Sequence, residues 1–287
     1  MKKLFSLMMV LAMAGICAYA QDAAKAESSV VPEEKEWSVS LSLTYANKYM
    51  TDGIVWTDGD MLFPDLTVSY KGFYAGIWGA MDLNSQNDQS LNPNHGNFGN
   101  VKKGNFEEID FYFGYEKTIE DLDAINSLTV RAQWAYYKYP QRFGAWFGNT
   151  FYRQSDGTTQ KVTIDLTTGL FLNPGVQLDW TYEEKGWLLT FHASHSMPLA
   201  TITEKLTFDN SFKLLAGNRK ALISGRKGIS SFIWTPALNY QCCDNVSFGP
   251  FANLIWHLDN CVREAAADDY RNHKFETVLG FAVNANF

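Results

Sequence analysis

From Trp37 to Phe287 the chain alternates apolar and polar residues with a period of two, segment after segment. Successive side chains of a strand point to opposite faces, so this pattern makes sheets with one oily face and one wet face. In the first segment Trp37, Val39, Leu41, Leu43 and Tyr45 share one face, and Ser38, Ser40, Ser42 and Thr44 share the other. A soluble sandwich would show the same alternation in a single strand. The constraint comes from repetition: about twelve such segments follow one another to the end of the chain, with few breaks.

The ends of the chain add a location. Counting back from Phe287, every second residue is apolar: Ala285, Val283, Phe281 and Leu279. This terminal strand resembles the one by which bacterial outer-membrane β-barrels are recognised for assembly, so the barrel-assembly machinery is an expected partner through Phe287. At the other end, Met1-Lys2-Lys3, an apolar run from Leu4 to Cys17 and the small-residue site Ala18-Tyr19-Ala20 read as a secretory signal over 1–20, cut before Gln21. Bulky Ile16 before Cys17 argues against lipid attachment. Residues 21–35 are small, charged and free of aromatics, and are expected to be a disordered periplasmic tail. The barrel is then 36–287. No stretch after the leader has the ~18 continuous apolar residues of a membrane helix.

Charge and cysteine content exclude some classes. Loss of Lys2 and Lys3 with the leader takes the formal net charge from −7 to −9, a poor balance for binding nucleic acid. Cys242, Cys243 and Cys261 remain, an odd count that makes no disulfide framework. Cys242 and Cys243 are neighbours, and Cys261 is expected at the opposite end of the barrel, so the reading is of thiols without a structural bridge.

The polar face carries charge that only a wet interior tolerates. Asp65, Asp82, Glu108, Asp110, Arg131, Asp165 and Asp179 are expected mid-strand, alternating with apolar or aromatic neighbours. Outward aromatics gather near strand ends, with Trp37, Tyr70, Phe73, Tyr115 and Phe287 towards one rim and Tyr136, Tyr182, Trp187 and Trp256 towards the other, as in interfacial girdles. Segments 84–105, 140–159 and 258–272 are long connections on one side; Lys71-Gly72 and Asn173-Pro174-Gly175 are short turns on the other. Pro236 and Pro250 fall inside expected strands, where each removes a ladder donor, so bulges or displaced strand ends are expected there.

Short patches resemble a known family. Tyr45-Ala46-Asn47-Lys48-Tyr49-Met50-Thr51-Asp52-Gly53, then Pro64-Asp65-Leu66 and Lys71-Gly72-Phe73-Tyr74-Ala75-Gly76-Ile77-Trp78, resemble the N-terminal part of the TorF-type outer-membrane porins. Tyr137-Lys138-Tyr139-Pro140 and Asn173-Pro174-Gly175 are similar to its middle section. The Cys242-Cys243 pair and the long segment 258–272 depart from that pattern. The resemblance implies a barrel in the outer membrane of a Gram-negative-type bacterium.

Several constellations follow from the register. Tyr74, Trp78, Tyr112, Tyr137 and Tyr139 are expected in the interior beside Asp82, Glu108, Asp110 and Glu116, either guiding a flat polar solute or plugging the lumen with rings. Lys48, Lys161, Lys205, Lys213 and Lys274 are also expected to point inward, so that opposed charges set a transverse field with a mild preference for cations. Asp58, Asp60, Asp268, Asp269 and His273 near the outer rim are the candidates for water activation, which requires that they converge. Asp52, Asp58 and Asp60 are candidate Ca²⁺ ligands but lack the spacing of an EF-type loop. His192 and His195 fall on opposite faces, so they make neither a metal pair nor a lipase site with an outward serine. No cofactor is implied.

The expectation is therefore an all-β, transmembrane, antiparallel up-and-down barrel of about twelve strands. The functional reading is a non-enzymatic, porin-like channel for passive diffusion of small polar solutes or ions. Its pore-lining candidates are Lys48, Asp65, Tyr74, Trp78, Asp82, Glu108, Asp110, Tyr112, Arg131, Tyr137, Asp165 and Asp179. The first alternative is a closed-lumen barrel that presents surface loops for interaction or adhesion, with 84–105 folded inward or standing outside. The second is an outer-membrane hydrolase.

Overall fold

A computed structural model describes residues 37–57, 59–83, 104, 106–139, 145–147, 150–152, 158–182, 185–218, 227–259 and 273–287. The expected leader and tail, and most of 84–105 and 258–272, lie outside the described residues. The elements in chain order are β1 (Trp37–Ala46), β2 (Tyr49–Thr51), β3 (Ile54–Thr57), β4 (Met61–Tyr70), β5 (Phe73–Asp82), β6 (Phe106–Leu122), β7 (Asn126–Lys138) and β8 (Ala145–Phe147). They continue as β9 (Thr150–Tyr152), β10 (Thr158–Thr168), β11 (Gly175–Thr181), β12 (Gly186–Pro198), β13 (Leu206–Gly217), β14 (Gly228–Cys243), β15 (Val246–His257) and β16 (Phe275–Asn286).

Twelve of these strands close one antiparallel barrel in the order β1-β16-β15-β14-β13-β12-β11-β10-β7-β6-β5-β4. Closure is the pairing of β1 with β16, from Ser40↔Asn286 to Ala46↔Gly280. Val39 and Phe287 extend it by exchanging both backbone hydrogen bonds at 2.9 Å. The remaining four strands form two hairpins, β2–β3 and β8–β9. The second lies within the segment read as the long connection 140–159. Connections at the end that carries Trp37 and Phe287 are short: 71–72, 123–125, 169–174, 199–205 and 244–245. At the opposite, loop end they are mostly longer.

The register carries the alternation around the circumference. Leu41 faces Leu66, Leu66 faces Ile77, Ile77 faces Phe111 and Phe111 faces Tyr136, so every member of the row points outward. Those outward side chains are exposed although apolar: Phe113 is 57 % exposed, Ile164 46 % and Phe191 50 %. One girdle is continuous from Trp37 through Tyr70 and Phe73 to Tyr115, with the Phe73 and Tyr115 rings 4.7 Å apart. At the loop end Phe232, Trp256 and Phe275 form a second row, with centroids 5.6 and 5.0 Å apart.

One expectation needs correction. The strands run straight through Pro236 and Pro250 with no bulge there. Pro236 faces Asn210, Pro250 faces Phe281, and β14 and β15 keep one register from Ser231↔His257 to Gln241↔Ser247. The shift comes later, between Gln241 and Cys243. Leu170 lies in the turn after β10, where Leu172 and Asn173 take positive φ.

The exposed apolar exterior generates a prediction. Ile164 lies in the middle of β10 on the outer face, and Ile164→Arg places a cation in hydrocarbon. It should lower folding stability in bilayers by about 2–4 kcal/mol, read by denaturant titration of the refolded barrel. An unchanged midpoint would put that face in water.

Candidate functional site

The site is the barrel interior, and its first surprise is a hairpin inside it. Asp52 and Gly53 take φ of 50° and 76°, the pair of left-handed residues that a type I′ turn needs. They join β2 to β3, which cross the lumen at the loop end. Val55, 1 % exposed, packs with Ala46, Leu188, Leu215, Ile233, Ile255 and Val278 on the inner wall of β12 to β16 and β1. The Ser231 hydroxyl donates to the Gly53 carbonyl at 3.4 Å, so the tip touches β14. At the base, Lys48 pairs with Glu276 on β16 at 3.0 Å. The Tyr49 hydroxyl donates to Glu108 on β6, and its ring lies 5.7 Å from Phe63 and 6.4 Å from Trp78. The hairpin is thus fixed to both sides of the barrel.

Below the hairpin the interior is polar and hydrogen-bonded. Asp65 accepts from the Tyr112 hydroxyl at 2.6 Å, and Arg131 Nε donates to the Tyr74 hydroxyl at 2.7 Å. Gln133 Oε1 takes a second bond from Arg131 at 3.0 Å. On the adjoining wall, β10 to β12, Thr163 and Gln177 donate to Asp179 at 2.5 and 2.8 Å, and His192 Nε2 lies 3.1 Å from Asp165. A cavity of about 490 Å³ runs along the β4–β7 wall, lined among others by Asp65, Tyr74, Asp110, Tyr112, Glu116 and Arg131.

The tyrosines keep that space open by lying flat over glycines. Tyr74 stands opposite Gly114, and Tyr112 opposite Gly76, across the β5–β6 ladder. A Cβ on Gly114 would lie 2.4 Å from the Tyr74 hydroxyl oxygen, and one on Gly76 only 2.3 Å from that of Tyr112. His192 over Gly175 and Phe251 over Gly280 repeat the arrangement. Cross-strand pairs of this kind need the glycine because the ring occupies the volume of the missing side chain. Trp78 stacks on Phe63 at 5.6 Å beneath the hairpin, and Tyr137 is capped by the Lys161 ammonium at 5.1 Å from its centroid.

The interior charges are also distributed unevenly. Asp82 and Glu108 lie at the loop end of β5 and β6 and are buried, rather than mid-strand. Asp52 at the hairpin tip lies within Coulomb range of Lys161, Asp179 and Lys213. Lys205 and Lys274 do not join the interior rows. Lys205 sits in the 199–205 turn, donating to the Cys242 carbonyl at 3.2 Å, and Lys274 is exposed just before β16.

The proposed rim chemistry does not assemble among the described residues. Asp60 accepts from Tyr45 at 2.5 Å, whereas the His273 backbone donates to Glu276 at 2.8 Å. Asp58, Asp268 and Asp269 lie outside the described residues. Asp52 and Asp60 are held apart at the tip and base of the hairpin. No group of three or more His, Cys, Asp or Glu side chains among the described residues could hold a metal ion.

In lipid every backbone polar group needs an internal partner, which a closed barrel supplies, and an apolar outer belt with aromatic girdles matches a bilayer. This is the architecture of a membrane-spanning β-barrel. Solved structures of similar shape are the KdgM porin, at 9% identity over 86% of this chain and 99% of that one with a TM-score of 0.47, and the NanC porin, at 12% over 85% and 98% with 0.46. The COG4313 outer membrane channel from Pseudomonas putida F1 follows at 7% over 90% and 100%, with 0.45. No family model matches the chain, and no curated protein does. At such identities the solute and mechanism rest on this chain's own residues.

Sequence reasoning missed the hairpin and the ring–glycine pairs. Asp52-Gly53 between Tyr49-Met50-Thr51 and Ile54-Val55-Trp56 is a strong short-range hairpin signal. Substituting Gly114 by valine should force Tyr74 off the wall and destabilise the barrel by about 1–3 kcal/mol, read by denaturant titration. Wild-type stability in that variant would mean that the ring does not use the glycine's space.

Proposed function

We propose that the barrel is a porin-like channel for passive diffusion of small polar solutes or ions, with the β2–β3 hairpin as its constriction. The polar cavity beneath the hairpin carries this reading. A lumen built only to be filled would bury apolar side chains there, as it does against Val55. Solutes would pass between the hairpin and the β10–β11 wall, where Asp52 stands near Lys161 and Asp179. They would then cross the cavity along Asp65, Asp110, Tyr112 and Arg131. Opposed charges across a narrow passage tune ion preference. The carboxylates Asp65, Asp110 and Glu116 face one arginine along the cavity, which supports a mild preference for cations.

The long-loop end would face outside, and the end bearing Phe287 the periplasm. Phe287 would serve the assembly machinery once 1–20 is removed and 21–35 is left as a tail. The motif at Tyr45–Gly53 and Lys71–Trp78 supports kinship with the TorF-type porins.

The test is single-channel conductance of the refolded mature barrel in a planar bilayer under a salt gradient. Discrete steps with a reversal potential of cationic sign are expected. Silence from a correctly folded barrel would support the closed, loop-presenting alternative, which the apolar seat of Val55 favours. Val55→Asp should release the hairpin and raise the step size, with folding checked by heat-dependent electrophoretic mobility. Unchanged steps would take the hairpin out of the path. Replacing Asp110 by Asn and Glu116 by Gln together should move the reversal potential towards zero. A potential that stays put would remove the β6 wall from ion selection.

A further inference from the structure

We propose that Cys242 and Cys243 form a dithiol site that chelates a soft, trivalent arsenical. Adjacent residues of a regular strand point to opposite faces, so neighbouring cysteines there share no ligand. Here the β14–β15 ladder shifts register between Gln241 and Cys243. A bulge re-aims side chains, and this one turns both cysteines towards Val246 and Phe248 on the outer face at the turn end. Their Sγ atoms stand 3.8 Å apart, in hydrogen-bond contact and with no disulfide between them, and both residues are half-buried rather than sealed.

That separation suits a single bridging centre. Two bonds of about 2.3 Å leaving a pyramidal trivalent centre at about 90–100° end about 3.3–3.5 Å apart. The thiols therefore need little movement to share a ligand, whereas a direct disulfide would have to draw them to about 2.0 Å. Among the described residues no third His, Cys, Asp or Glu completes a metal cluster, which leaves a four-coordinate zinc or cadmium ion short of protein ligands. A trivalent arsenical requires only two thiols, because its own substituent holds the third valence. With an arylarsine oxide, two S–H bonds break and two As–S bonds form. The arsenic-bound oxygen leaves as water with both protons, and neither arsenic nor sulfur changes oxidation state. The site stands on the bulge and is independent of whether the lumen conducts.

The test uses the mature chain, reduced with a phosphine, refolded in detergent, freed of reductant and exposed to phenylarsine oxide. Intact mass should show one phenylarsenic group per chain in place of two protons. The adduct should survive excess 2-mercaptoethanol and be removed by 2,3-dimercaptopropanol. Cys242→Ser and Cys243→Ser should each abolish it, and Cys261→Ser should retain it. A folded wild-type barrel without the adduct, or an adduct that vanishes in Cys261→Ser, would overturn the proposal. If a serine variant fails to fold, alkylation mapping of the wild-type chain decides. The arsenical must protect the peptide with Cys242 and Cys243, and protection of Cys261 instead would equally defeat the assignment.

Discussion

Closure of the sheet is the constraint on which everything else depends. A strand edge in hydrocarbon leaves unpaired N–H and C=O groups, each costing several kcal/mol. The chain removes the edge by returning β16 to β1, from Ser40↔Asn286 to Ala46↔Gly280. Once that seam forms, each strand has one face in lipid and one in the interior, and a slip of one residue would exchange the two. The charged rows through Asp65, Asp110, Arg131 and Asp165 make such a slip costly, because it would carry them into the bilayer. The same charges that give the interior its chemistry thus hold the register of the wall.

Twelve strands set the scale of the interior. Eight are nearly filled by their own side chains, and sixteen leave an aqueous channel. This barrel solves the intermediate case differently in its two halves. At the loop end the hairpin fills the space with Val55 and Tyr49, and the wall answers with Leu188, Leu215, Ile233, Ile255 and Val278. At the turn end the wall folds its rings back over glycines, and polar groups meet across the space that remains. The tyrosine hydroxyls are tied to Asp65 and Arg131. The rings are therefore walls of the cavity rather than obstacles within it.

Local rules and the overall arrangement conflict at few positions. Pro236 and Pro250 break the rule against proline in a central strand, and the barrel absorbs both without losing register. Cys242 and Cys243 depart from strand alternation only because the β14–β15 turn needs a bulge. The long connections are where the interior gains its extra element. A hairpin in the first of them, 47–60, reaches into the lumen.

The alternation from Trp37 to Phe287 determined the fold class, the strand number and which side chains face inward. Period two is local, and it survives any closed arrangement. Asp65, Asp110, Arg131, Asp165 and Asp179 were placed on the interior face by parity alone. What parity cannot give is distance across a lumen, because that depends on which strands stand opposite each other once the sheet closes. Only the tertiary structure brought Gly53 to Ser231 and Lys48 to Glu276, contacts 178 and 228 residues apart in sequence. Only it paired Tyr74 with Gly114 and Tyr112 with Gly76, since a glycine in a strand reads as a weak position until the ring that occupies its space is known.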